Sequence, residues 1–498
     1  MPSRLPFAVL AWLALALPFV FGYTRPPIAN FWPWLAAWGC AWVVLAVACS
    51  GRLHWGRLQW ARCWAAALVL AALLAAGVGL VQYFAGDVGA APWIVGTQPG
   101  LSIGNLRQRN QQASVLALGW WALLWCVAQG QPWLRQAPRW QGLALGMVLA
   151  WAMVVLAAAT AATASRTGTL QWLLVLATLV LWRRTLGREV LALALLGTLA
   201  YALAAWLLPL LLQSWTGLPV DRLLARFVND GQGCGGRAVL WRNMLELMAL
   251  KPWMGWGWGE LGYAHYATLF EGTRFCDLLD NAHNLPLHLA VTLGVPLALA
   301  LLLAGALLVW RARPWREAQP ARQLAWGVLA LIGLHSLLEY PLWYGPFQVA
   351  ALVAVALLWP GLRQPQGLVR AAWGAALGLA LAAGSYAAWD YQRVSPLYQP
   401  APGGNAAPLW ARAQASWLFA DAVDFARLTT TPVTAANAAQ SYALAQRLLH
   451  YSAEPRVIEP LLDSARLLGD APALAWHSQR YQQAYPEAWG RWRQRQPQ

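Results

Sequence analysis

The chain has 498 residues, of which 59% are hydrophobic and only 11% charged, with a formal net charge of +16. A charged fraction below half of the ~25% usual in soluble domains excludes a disordered chain, a coiled coil and most soluble enzymes. The positive balance comes from arginine, with a single lysine (Lys251); in so apolar a chain it orients helices and meets anionic lipid, and we do not read it as a nucleic-acid footprint.

Apolar residues fall in blocks of about twenty separated by short arginine-bearing loops, the pattern of an all-α polytopic membrane bundle. Eleven spans are expected, near 6–22, 30–49, 64–84, 112–129, 141–162, 168–182, 189–212, 285–310, 321–338, 343–361 and 368–388. The sixth is short for a ~30 Å hydrocarbon core, so counts of ten and twelve stay open. The first segment lacks a small-residue cleavage site before Tyr23 and reads as an uncleaved anchor. The 35 tryptophans suit the water–lipid boundary. Arg4, Arg52, Arg57, Arg62, Arg135, Arg139, Arg183, Arg184, Arg188, Arg311, Arg313, Arg316, Arg322, Arg363 and Arg370 alternate onto one side of the membrane. The other short loops hold only Arg25, Arg107, Arg109 and Arg166. The amino terminus is therefore expected in the cytoplasm, with loop 213–284 and the tail after Asp390 outside.

Residues 1–389 form the expected transmembrane domain, 390–408 a linker rich in Pro and Gly, and 409–498 an outward helical domain. In the latter, 409–428, 433–451, 455–469 and 472–485 read as short amphipathic helices. Cys234 and Cys276 are the two cysteines of the outward loop. In an oxidising periplasm they are expected to pair, worth ~4 kcal/mol in the chain-entropy model; the alternative is two free thiols. Residues 237–250 carry Leu240, Trp241, Met244, Leu247 and Met248 at helical spacing, with Arg242 and Glu246 opposite. This predicts an amphipathic helix lying along the outer leaflet and ending at Lys251-Pro252. The Gly- and Trp-rich stretch after it would allow backbone contact with a ligand, or simply tight turns.

Several polar groups stand at membrane depth or at helix mouths, where an unpartnered one is costly. The block Gly104-Asn105-Leu106-Arg107-Gln108-Arg109-Asn110-Gln111-Gln112 runs into the fourth span, either as a solvated loop end or as donors for an anion. Ser165-Arg166-Thr167-Gly168 puts a guanidinium at the outward mouth of a hairpin, where it either snorkels or binds. Gly236-Arg237 opens the loop helix, and an arginine at a helix start suits phosphate. His283-Asn284 precedes the eighth span; histidine there can act as general base or be merely structural. His288 is read as structural. His335 and Glu339, one turn apart, can neutralise each other. HExxH, CxxC, a P-loop and a nucleophile elbow are all missing from the sequence, so neither metal nor cofactor is expected.

These residues give the chain its likeness. It resembles the bacterial O-antigen ligase and O-linked oligosaccharyltransferase superfamily over roughly 95–360. His283-Asn284 with Gly294 matches the superfamily's histidine motif, Ser165-Arg166-Thr167-Gly168 its Ser-Arg motif, and Gly236-Arg237 with Trp241 its loop arginine; Leu297 stands where another glycine is usual. The resemblance implies a multi-pass inner-membrane enzyme with a periplasmic active site. Such enzymes move a glycan from undecaprenyl diphosphate to an acceptor hydroxyl without a metal. His283 would be the base, and Arg166 and Arg237 would clamp the diphosphate, the three converging at the extracytoplasmic rim. Asn110, Asn284, Glu339 and Tyr340 would complete the substrate site. The Gly104–Gln111 block and Glu339-Tyr340-Pro341 look like the branch that glycosylates pilins and other periplasmic proteins. Ligation of O-antigen to lipid A–core is the alternative, chain polymerisation the third, and a lipid-linked glycan transporter the remote one.

Overall fold

The computed structural model describes residues 5–134, 136, 138–217, 233–359, 367–399 and 406–496, and among them all regular structure is helical. Arg4, Arg135 and Arg363 of the expected cytoplasmic loops lie outside the described residues. The first eight helices are α1 (Leu5–Ala16), α2 (Phe31–Cys49), α3 (Arg57–Ala85), α4 (Arg109–Leu134), α5 (Arg139–Ala162), α6 (Arg166–Leu181), α7 (Arg183–Leu186) and α8 (Arg188–Thr216). Then come α9 (Arg237–Leu250), α10 (Leu261–Ala267), α11 (Leu285–Leu293), α12 (Val295–Ala312), α13 (Pro320–Ser336), α14 (Gly345–Leu358) and α15 (Gly367–Val394). Six short helices follow: α16 (Ala407–Ala413), α17 (Ala420–Thr430), α18 (Ala438–Tyr451), α19 (Pro455–Leu467), α20 (Ala471–Ala484) and α21 (Pro486–Gln494).

Among the described residues seven helices are long and apolar enough to cross a membrane: α2, α3, α4, α5, α8, α12 and α15. The remaining expected windows fall on helices of 12 to 17 residues: α1, α6, α13 and α14. The eighth window is not one helix. Gly294, at φ +86°, separates α11 from α12, and only glycine fits there, since a Cβ would lie 2.1 Å from the Trp253 carbonyl oxygen. Leu297 is half-exposed, so its bulk is accommodated.

The chain divides into two compact units, Met1–Asn229 with Val309–Ala382, and Asp230–Leu308 with Ala383–Gln498. In the first unit, small residues let α3 and α4 approach closely. A Cβ on Gly119 would lie 2.0 Å from Ala72 Cβ, the close backbone packing that membrane helices use. Not every tryptophan sits at a boundary. Trp64, Trp120, Trp121, Trp125 and Trp172 are fully buried, with Trp120 stacked on Trp172 at 4.8 Å and Trp172 on Tyr201 at 5.1 Å. Two of their indoles close the first turn of α13, Trp121 donating to Leu324 O (3.1 Å) and Trp125 to Pro320 O (2.8 Å).

The second unit joins the large loop to the carboxy-terminal helices. Tyr266 of α10 enters the core built from Phe425, Leu448, Ile458, Leu461 and Tyr481. Its hydroxyl lies 3.0 Å from His477 Nδ1, Arg480 donates to Ala267 O (2.7 Å), and Gln483 bonds both backbone groups of Phe270. The loop therefore folds with the tail, where sequence suggested a loop of the membrane domain. Residues 390–399, expected as linker, continue α15 and a following 3-10 turn. The reason is Asp390: its buried carboxylate accepts from Ser416 Oγ, Trp417 N and Leu418 N. The same bonds break the expected helix 409–428 into α16 and α17. A further helix, α21, is held by Trp492, whose indole donates to Asp463 (3.1 Å).

Burial pushes the His477 imidazole down to about 4, with Arg480 adding to the shift. Between pH 6.5 and 4 the unfolded chain binds a proton that the folded one refuses, so acidification through that window destabilises this unit. The effect reaches at most about 2 kcal/mol at pH 5. Full-length protein should melt lower at pH 5 than at pH 7, and His477→Gln should narrow the gap. An unchanged gap in the variant would remove His477 as the responsible group.

Candidate active site

In the first unit, three polar sequence blocks meet. Ser165 is the N-cap of α6, its Oγ accepting from Gly168 N at 3.1 Å. That makes Arg166 the first residue of the helix, where backbone N–H groups are unsatisfied by the helix and favour an anion. Ser165 Oγ also donates to Asn110 Oδ1 (2.6 Å), and Asn110 Nδ2 donates to Glu339 Oε1 (2.8 Å). Glu339 is 2% exposed, and a buried carboxylate requires such donors. Asn110, Ser165 and Glu339 thus tie together α4, α6 and the turn after α13. Tyr340 packs against the rim of the same core, 6.1 Å from Tyr344.

A second rung lies one helical turn along α4. Ser114 Oγ donates to Gln171 Oε1 (3.0 Å) and lies 2.7 Å from His335 Nδ1, while Gln171 Nε2 donates to Leu331 O (3.1 Å). The hydroxyl's one proton goes to Gln171, so His335 donates from Nδ1. His335 and Glu339 each bond to α4, and Glu339 N also donates to His335 O (2.8 Å), so one more helical turn continues past Ser336, where α13 ends, and keeps the two residues one turn apart. The polar block before α4 is also largely consumed by structure. Asn105 bonds Val20 O, Trp93 O and Val95 N, and Arg107 bonds Ala29 O and Asn30.

In the second unit, Cys234 and Cys276 form a disulfide with Cα atoms 5.4 Å apart, as expected. It closes the segment in which Gly236 caps α9 and Arg237 takes the first helical position, the place Arg166 takes in α6. The apolar face of α9 is not turned to lipid. Leu240, Met244 and Leu247 pack on Leu261, Ala264, Phe275, Leu279 and Val291, while Arg242 and Glu246 pair across the outer face at 3.8 Å. His283 stands at φ +50°, a conformation rare outside glycine that persists only when neighbours enforce it. Its N–H donates to Asn281 Oδ1 (2.9 Å), and Trp241 Nε1 donates to Ala282 O (3.1 Å). Ala282 N in turn donates to His288 Nδ1 (3.4 Å), the structural role expected of His288. Packing raises the Asp280 carboxyl above its ordinary value, and the His283 ring pulls it back down. Asn284 caps α11, accepting from Leu287 N at 3.0 Å.

Sequence reasoning missed Asn281, Gln171 and Ser114. Gln171 had a signal, an amide inside the apolar run 168–182. Among the described residues no group of three His, Cys, Asp or Glu side chains is placed to hold a metal ion. Asn110→Ala should cost about 1–3 kcal/mol by removing donors and acceptors from buried partners. A thermal melt would register the loss.

Three family models match the chain. O-antigen ligase covers 151–302, which contains Arg166, Arg237 and His283. Protein glycosylation ligase covers 103–125, which contains Asn110. The C-terminal region of the membrane-bound polymerase virulence factors covers 323–498, with Glu339 and Tyr340. The General O-oligosaccharyltransferase of Acinetobacter baylyi is 30% identical over 112 residues, 22% of this chain and 19% of that protein.

Proposed function

Given that the chain belongs to the O-antigen ligase and O-oligosaccharyltransferase superfamily, we propose that this multi-pass membrane enzyme glycosylates proteins. It moves a glycan from undecaprenyl diphosphate to Ser or Thr hydroxyls of pilin or another periplasmic protein, at the periplasmic face of the inner membrane. His283 takes the acceptor proton as the oxygen attacks the anomeric carbon. The bond from that carbon to the diphosphate breaks, and Arg166 and Arg237 hold the charge of the departing undecaprenyl diphosphate. No step requires a metal or cofactor.

The observation that carries this reading is the Ser165–Asn110–Glu339 chain of hydrogen bonds behind Arg166. It joins the block matched by the protein glycosylation ligase model to the Ser-Arg motif. A long flexible cation becomes a phosphate ligand only when its backbone is fixed, and this chain of bonds fixes it. Ligation to lipid A–core has support of its own, since the O-antigen ligase model takes in both arginines and the histidine. Purified protein given undecaprenyl-diphosphate glycan with pilin, or with lipid A–core, separates the two. Glycosylated pilin is the expected product. Modified lipid A–core with untouched pilin would move the assignment to the ligase, and no product from either would overturn both.

A further inference from the structure

The turn between α9 and α10 is fixed to the beginning of a membrane-spanning helix. Gly255 N donates to Lys251 O (3.1 Å), and Val295 N, the first residue of α12, donates to Pro252 O (2.8 Å). Trp256 N and Gly257 N donate to Val291 O and Thr292 O (2.9 and 3.0 Å). Gly294 and Gly255 permit this approach: a Cβ on either would collide with the opposing backbone. These backbone contacts account for the glycines without a ligand.

The side chains at the tip of this turn find no cover in the protein. Trp253 is 76% exposed, Met254 84% and the adjoining Leu250 59%. Bulky apolar side chains left contiguous and bare mark a contact surface. Directly beneath the turn, Val295–Arg316 is a candidate span that is almost wholly unburied by protein. The first residues of such a helix lie at the boundary between headgroups and acyl chains, so a tip bonded to Val295 lies at that depth too. Lys251 stacks its amine over Trp256 at 4.1 Å, which places a cation beside the tip where lipid phosphates are found.

We propose that Leu250, Trp253 and Met254 insert into the bilayer interface as an anchor, with Lys251 at the phosphate level. The anchor holds the loop through α11, whose first turn follows directly on His283, and so sets the depth of that histidine. This second part rests on the reading of His283 as the base; the insertion itself does not.

The test places p-benzoylphenylalanine at Met254 of the full-length protein in nanodiscs of phosphatidylethanolamine and phosphatidylglycerol. Leu299, on the exposed face of α12, serves as the lipid-facing reference, and Leu467, exposed at the end of α19, as the water-facing one. Illumination should give lipid adducts, read by mass spectrometry, at 254 and 299 but not at 467. Adducts at 299 without any at 254 would overturn the anchor, whatever the enzyme's activity. In the same nanodiscs, Trp253→Ser with Met254→Ser should raise KM for the lipid-linked donor about tenfold and change kcat less. Lipid adducts with an unchanged KM would overturn the depth-setting part alone.

Discussion

Replacing His283 by alanine is expected to lower glycan transfer by about 10²–10⁴-fold, the usual share of a general base. The variant should fold, because two of the bonds that hold this position use only its backbone and that of its neighbour. The His283 N–H donates to Asn281, and the carbonyl before it accepts from Trp241; alanine keeps both. Affinity for the donor should change little, since deprotonating the acceptor hydroxyl belongs to the transition state, so the loss should fall on kcat. Single-turnover transfer to pilin, with the melting temperature as a control, gives the answer. Activity within tenfold of the parent would remove His283 from the chemistry. Trp241→Phe is the companion. It keeps the ring and loses the donor that holds Ala282, so transfer should fall less than with alanine at 283, and a loss as large would make the position of His283 more important than its proton.

The helices were legible because lipid leaves a coarse and redundant record: blocks of apolar residues and arginines between them. Even so, the eighth window hid a break. Hydropathy is blind to Gly294, whose meaning lies in the Trp253 carbonyl that it lets in. The amphipathic stripe of α9 was read correctly as a pattern and assigned to the wrong partner. An apolar face has the same sequence whether it meets lipid or, as here, Leu261, Phe275 and Val291. Candidate site residues at helix starts, Arg166, Arg237 and Asn284, were visible because caps and motifs are local. The long-range hydrogen bonds behind α6 were not. Asn110 and Glu339 are separated by more than two hundred residues, and only the packing of α4 against α13 brings the amide to the carboxylate. Asp390 is a similar case: a lone acid in a region that looked like linker becomes the cap for residues 416–418.

Arg166→Lys and Arg237→Lys should each reduce kcat/KM for the lipid-linked donor by about 10–100-fold, the range of one lost charge-assisted hydrogen bond. Lysine keeps the charge and gives up the planar fork that grips a phosphate with two parallel N–H groups. Both residues hold the first position of a helix, so their backbone N–H groups and helix dipoles remain as an anion-favouring background in either variant. The retained charge is why lysine should keep more activity than alanine, and that background is why neither substitution should abolish it. The decisive measurement is the double variant. If the two guanidiniums hold one diphosphate, removing the first fork weakens what the second can contribute, and the combined loss falls short of the product of the single losses. If they serve separate ends of the substrate, the losses multiply. Normal turnover in both single variants would exclude a bidentate clamp and leave the charge of the departing diphosphate to point charges and the helix starts.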